Sequence, residues 1–174
     1  MLLAMSMIAA AAIASSTGAA SPPSPPGLHY AFTIAVTLAA PIEQGTVDGR
    51  RKRFVPITGG TISGPRFEGI VLPGGGDWQT IGADGLTIVD TRYSLKANDG
   101  TVIDIVNPGV RVASPDITAR MARGEPVAPD TYYFRTAPRF SVADGKHDWL
   151  RRTVFVGRGI RNPDTVQIDV FAVD

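Results

Sequence analysis

Residues able to hold or convert a small molecule are scattered through short apolar stretches of the chain. Asp90 and Arg92 lie two apart within Leu86 to Leu95, Tyr133 and Arg135 are likewise two apart, and Glu68 precedes Ile70 and Leu72 at the same spacing. At the two-residue period of a strand, each such pair shares one face. A carboxylate such as Glu68 or Asp90 can move a proton, and a guanidinium can grip a carboxylate or phenolate through two parallel hydrogen bonds. The expected ligand contacts are therefore Trp78, Arg92, Tyr133, Arg135 and Trp149, with Glu68 and Asp90 as candidate catalytic carboxylates. The competing structural reading puts Asp90, Arg92, Glu68 and Arg135 in outward ion pairs across neighbouring strands, each worth little when exposed.

Other chemistries are excluded by residue type. The chain has no Cys and 2 His among 174 residues, which removes disulfides, thiolate catalysis and zinc–thiolate sites. His29 and His147 lie far apart, so neither a metal centre nor a cofactor is expected. His147, close to the Asp144-Gly145 turn, is expected to be solvent-exposed rather than catalytic, and neither His accompanies a Gly-x-Ser-x-Gly elbow. The Gly74-Gly75-Gly76 run lacks the Gly-Lys-Ser/Thr and the following helix of a phosphate loop; a tight turn with Trp78 plugging a barrel end is expected there. Arg50-Arg51-Lys52-Arg53 reads as an exposed hairpin limb whose charges discourage edge pairing.

The elements that must position these residues are strands. Leu28, Tyr30, Phe32, Ile34, Val36 and Leu38 alternate with His29, Ala31, Thr33, Ala35 and Thr37, placing the first set on one face. Further runs are Arg53 to Ile57, Phe67 to Leu72, Leu86 to Leu95, Val102 to Val106, Tyr132 to Phe140, Leu150 to Val156 and Val166 to Val173. Turn dipeptides such as Asp48-Gly49, Asp84-Gly85 and Asp99-Gly100 separate them. One short helix is expected over Ser114 to Arg123, with Ser114 as cap, Pro115 in the first turn and Gly124 beyond the end. The fold class is all-β: a single antiparallel barrel of about eight to ten strands with one helix, because closure removes exposed edges. In Leu86 to Leu95 the face of Leu86, Ile88, Asp90 and Arg92 turns from apolar to ionic, as a polar mouth above an apolar floor would produce.

Met1 to Ile13 is apolar and ends in small residues, which marks 1–20 as a signal peptide cleaved after Ala20. Ser21 to Gly27, with four Pro, is expected to be an extended spacer, and 28–174 the barrel domain. The apolar run falls short of the about 20 residues a membrane span needs, so the mature chain has no expected membrane span and is assigned to the periplasm or the exterior. With a formal net charge of +1, nothing calls for nucleic acid as partner.

Five stretches occur in order along the chain: Ile57-Thr58-Gly59-Gly60-Thr61 with Ser63-Gly64-Pro65, Leu72-Pro73-Gly74-Gly75-Gly76-Asp77-Trp78, Asp90-Thr91-Arg92-Tyr93 with Asn98-Asp99-Gly100, Tyr132-Tyr133-Phe134-Arg135-Thr136, and Trp149-Leu150 with Val154-Phe155-Val156-Gly157. In combination they resemble the family of small bacterial barrels classed as domain of unknown function 3237. The resemblance implies a small antiparallel barrel and supplies no common reaction. Ser141 stands where a Glu often follows the Pro-Arg-Phe stretch, and Arg151 where an Asn often follows Trp-Leu. A role at either position in relatives would not carry over. The expected function is binding of a small aromatic or apolar organic molecule with an acidic or polar end. The alternatives are a cofactor-independent isomerase, cyclase or lyase acting on such a molecule, and a structural or interaction protein. A homo-oligomer is compatible with all three.

Overall fold

The computed structural model describes residues 21–174, so the proposed signal peptide over 1–20 lies outside the described residues. Ser21 to Gly27 is exposed and carries no regular structure. The strands are β1 (Leu28–Leu38), β2 (Ile42–Val47), β3 (Arg50–Ser63), β4 (Gly69–Val71), β5 (Gly76–Ile81), β6 (Leu86–Ala97), β7 (Val102–Val112), β8 (Tyr133–Thr136), β9 (Arg139–Val142), β10 (Phe155–Arg161) and β11 (Thr165–Val173). Eight of them close an antiparallel barrel in the order β1, β11, β10, β8, β7, β6, β5, β3 and back to β1. The other three extend its ends: β2 pairs with β3, β9 with β7, and β4 bridges β3 and β6. The helix α1 (Pro115–Ala122) begins as expected, with Ser114 Oγ accepting from the Ile117 amide at 3.3 Å.

The barrel interior divides along its length. At one end Phe32, fully buried, meets the rings of Phe67, Phe140 and Trp149 edge-on at 5.2, 6.0 and 6.4 Å, and Phe155 packs beside it. A 3₁₀ turn over Asp148–Arg152 closes this end with Leu150 inside. Edge-to-face aromatic pairs of this kind add to the burial term and fix the plug. The other end is a cavity.

Several expectations shift in detail. A bulge between Tyr30 and Phe32 breaks the alternation of β1, so Leu28 and Tyr30 are exposed while Ala31 and Phe32 are both buried. The run from Tyr132 to Phe140 is two strands separated at Ala137-Pro138: β8 pairs with Gly109 to Val112 of β7, and β9 with Ile103 to Val106. Pro138 has no N–H to continue a ladder. Leu150 lies in the 3₁₀ turn, leaving β10 to start at Phe155. The Gly74-Gly75-Gly76 run leads directly into strand β5, so Trp78 is a strand residue and does not plug the barrel. His147 is buried rather than exposed: its Nε2 sits 2.8 Å from Asp99 Oδ2, and Phe67 packs edge-on against the ring.

Candidate functional site

Inward positions of all eight barrel strands form the cavity, of about 230 Å³, at the open end. In register across the wall, Val55 pairs with Asp77, Asp77 with Thr91 and Thr91 with Asn107; the next row joins Arg53 to Gln79, Gln79 to Val89, Val89 to Gly109 and Gly109 to Thr136. Apolar walls come from Val36, Ile57, Val89, Phe134 and Ile168. Arg161, at the end of β10, completes the mouth, with its backbone N–H donating to the Tyr132 hydroxyl at 2.9 Å.

A relay of hydrogen bonds orients the carboxylate. Arg53 Nε donates to Gln79 Oε1 at 2.7 Å, Gln79 Nε2 donates to Asp77 Oδ2 at 2.5 Å, and Thr91 Oγ1 donates to Asp77 Oδ1 at 3.0 Å. Burial raises the Asp77 pKa from its ordinary value, although both hydrogen bonds oppose the shift. Burial also lowers Arg53 and Arg161, and pushes Arg111 down to about 10, with repulsion from the other two arginines adding to it. Even so, all three remain cations near neutrality. Tyr93 is raised, first by burial and then by the Asp77 charge, and stays a neutral phenol.

Three polar atoms on this wall have no protein partner among the described residues: Tyr93 Oη, Asn107 Oδ1 and Thr136 Oγ1. Their residues are 6%, 2% and 5% exposed, and each lines the cavity. Buried polar groups are nearly always satisfied, so such a cluster calls for something that enters the cavity to meet it. Chemically the arrangement can bind an organic molecule by its apolar flank, orient its polar end, and exchange a proton at Asp77.

The residues expected from the sequence lie elsewhere. Trp78 is 43% exposed on the outer wall, packed against Phe54 with ring centroids 4.8 Å apart and the planes tilted by 41°. Asp90 and Arg92 form an exposed ion pair at 3.2 Å, also outside. Tyr133 is 51% exposed under the Arg135 guanidinium, which lies 5.1 Å from its ring centre and donates to the Phe134 carbonyl at 2.9 Å. Trp149 belongs to the sealed end, covered by Arg66 at 4.0 Å. Glu68 is exposed near that end, accepting from Asn98 at 3.4 Å. Arg92 and Arg135 therefore do not meet in one cavity. What the structure brings together instead is Arg53, Asp77, Gln79, Thr91, Tyr93, Asn107, Arg111 and Thr136. One sequence signal leads to them: strand parity extended from the apolar half, from Ile57 back to Arg53, from Leu95 to Tyr93 and Thr91, and from Ile105 to Asn107 and Arg111. Among the described residues, no three His, Asp or Glu converge as metal ligands, and no helix is long and apolar enough to cross a membrane.

A closed eight-stranded barrel, sealed by aromatics at one end and holding a polar cavity at the other, defines a class of one-ended pocket barrels. Residues 26–173 match the family described as protein of unknown function (DUF3237), and the chain belongs to that family. A UPF0311 protein of Rhodopseudomonas palustris is 36% identical over 144 residues, which cover 83% of this chain and 94% of that one. The crystal structure of a conserved protein of unknown function from the same organism superposes with a TM-score of 0.82 at 34% identity, covering 87% of this chain and 99% of the other. A hydroalkoxylation enzyme of Penicillium herquei is 36% identical over 87 residues, half of this chain and 58% of that enzyme.

Proposed function

We propose that the barrel binds a small organic molecule with an apolar body and a polar end, seated in the cavity between Phe134 and Asp77. The observation that carries this reading is the set of unpartnered polar atoms on Tyr93, Asn107 and Thr136 around a cavity with apolar walls. Thr136→Val tests it, since the substitution keeps the shape and removes an unsatisfied hydroxyl. A buried unsatisfied group costs about 1–3 kcal/mol, so the empty variant should be more stable than wild type while losing stabilisation by ligands found in a thermal-shift screen of small organic molecules. A Thr136→Val chain that is less stable when empty would count against a ligand-binding role for that hydroxyl.

A second reading, cofactor-independent proton transfer on the bound molecule, is favoured by the buried, hydrogen-bonded Asp77 carboxylate with its raised pKa. The likeness over half the chain to a protein named as a hydroalkoxylation enzyme supports the same direction. Asp77→Asn separates the readings: turnover disappears with affinity retained if the protein is an enzyme, and no turnover exists to lose if it is a binding module. Export belongs to the same proposal, resting on the apolar and small residues of 1–20. Intact mass beginning at Ser21 in periplasmic protein supports it, and full-length chain retained in the cytosol refutes it.

A further inference from the structure

We infer that the cavity's ligand is an organic carboxylate whose charged end docks on the Arg111 guanidinium. This rests on the ligand-binding reading above and gives that ligand a chemical class.

Three arginines line the cavity against two carboxylates, Asp77 and Asp164, and none of the three takes part in a salt bridge among the described residues. Their hydrogen bonding differs sharply. Arg53 makes one short bond, from Nε to Gln79 at 2.7 Å, and Arg161 Nη1 donates to the Pro163 carbonyl at 2.8 Å and to the Thr165 carbonyl at 3.5 Å. Arg111 is 6% exposed, yet its one side-chain hydrogen bond among the described residues is a 3.5 Å contact from Nη2 to Thr87 Oγ1. The Phe134 ring, 6.0 Å from the guanidinium carbon, gives it a weak cation–π neighbour and no acceptor.

A guanidinium carries five N–H donors in a rigid fork, and those of Arg111 that have no protein acceptor are left for an incoming one. Asp77 is turned to other partners, accepting from Gln79 and Thr91, and makes no hydrogen bond or ion pair with Arg111. Space for an incoming acceptor is built in. The cavity itself supplies it, lined by Arg111 together with Asn107 and Thr136, whose Oδ1 and Oγ1 have no partner among the described residues. A carboxylate there receives two parallel bonds from Arg111, a match of fork to fork that a neutral carbonyl cannot reproduce. The apolar body then lies along Val89, Phe134 and Ile168.

The test uses matched probes on the intact chain: benzoate, cinnamate and cyclohexanecarboxylate, each against its uncharged primary amide, with affinities from calorimetric titration. Wild type should prefer at least one carboxylate over its amide by about tenfold or more, the scale of one charge-assisted hydrogen bond. Arg111→Gln should bring that ratio close to one, Arg111→Lys should leave part of it, and Arg92→Ala, on the outer wall, should leave it unchanged. The wild-type comparison decides the anion class even if Arg111→Gln does not fold, and Arg111→Lys, which keeps the charge, then decides the docking site by losing part of the preference. Amides that bind wild type as tightly as carboxylates overturn the anion assignment while leaving the ligand-binding reading standing. A preference that survives Arg111→Gln overturns the docking site. Binding of neither member of any pair overturns the assignment and counts against the cavity as a ligand site altogether.

Discussion

Thr91 faces Asp77 in register across β5 and β6 and donates its hydroxyl to Asp77 Oδ1 at 3.0 Å, while Gln79, two residues along β5, donates to the other oxygen. The carboxylate is thus fixed in direction by its own sheet before any ligand enters. Such preorganisation is what proton transfer to a bound molecule would require.

Asp77 makes a pH signature expected. Its folded pKa is raised by burial, so the folded chain holds this proton more tightly than the unfolded chain does. The stability it contributes is full below the ordinary carboxylate value, about 3.9, and is lost as pH rises through the raised value. Urea midpoints taken from about pH 4 to pH 7 should therefore fall less steeply in Asp77→Asn than in wild type. Parallel profiles would mean that burial does not hold the proton on this group.

Asp99 should show the opposite sign. Hydrogen bonds from Thr101, and then the one to His147, lower its pKa to about 2. The folded chain releases this proton more readily, so the contribution is present above the unfolded value and disappears as pH falls through about 2. Acid unfolding followed by tryptophan fluorescence should begin at higher pH for wild type relative to its own neutral stability than for Asp99→Asn, in which this loss no longer occurs. A wild-type acid limb identical to that of the variant would remove Asp99 as its source.

Phe32 joins the aromatic plug to the first strand, and Phe32→Ala should cost about 3–5 kcal/mol, the usual range for emptying such a site. Denaturant titration with an unchanged m-value measures it. A loss below about 1 kcal/mol would mean that Phe67, Phe140 and Phe155 collapse into the space and that the plug is far softer than its edge-on packing implies.

Closure into a barrel and the position of α1 were legible because they rest on turn dipeptides, a capping Ser and apolar alternation in the sealed half. The site was less legible because the polar half of a barrel interior imitates a solvent face. In β7, Asn107 and Arg111 point inward while Val110 and Val112 are exposed outside, so local hydropathy inverts the true orientation. In β6, Asp90 and Arg92 draw notice because they are charged, yet exposed partners satisfy them, while Thr91 and Tyr93 on the quieter face line the cavity. Arg53 was hidden in a different way, as the last member of a basic run whose first two residues do lie in solvent.

The cavity's shape depends on residues that contribute no side chain, and Gly159 gives the sharpest test. It lies inward on β10 opposite Ile168, and a Cβ placed there would drive into the Phe134 ring. Its backbone has no positive φ, so Gly159→Ala probes steric fit alone. Overpacking of this kind costs typically about 1–3 kcal/mol, and relief is available in one main direction, with Phe134 swinging toward the cavity. Two readouts should move together: a lower urea midpoint, and weaker stabilisation by any ligand that binds wild type. Gly74, in open space at φ 113°, provides the contrast, because Gly74→Ala strains the backbone without touching the cavity and should lower stability while leaving ligand affinity intact. If Gly159→Ala destabilises the fold yet binds ligand as wild type does, Phe134 does not wall the ligand site, and the bound molecule must lie toward Asp77 and the mouth instead.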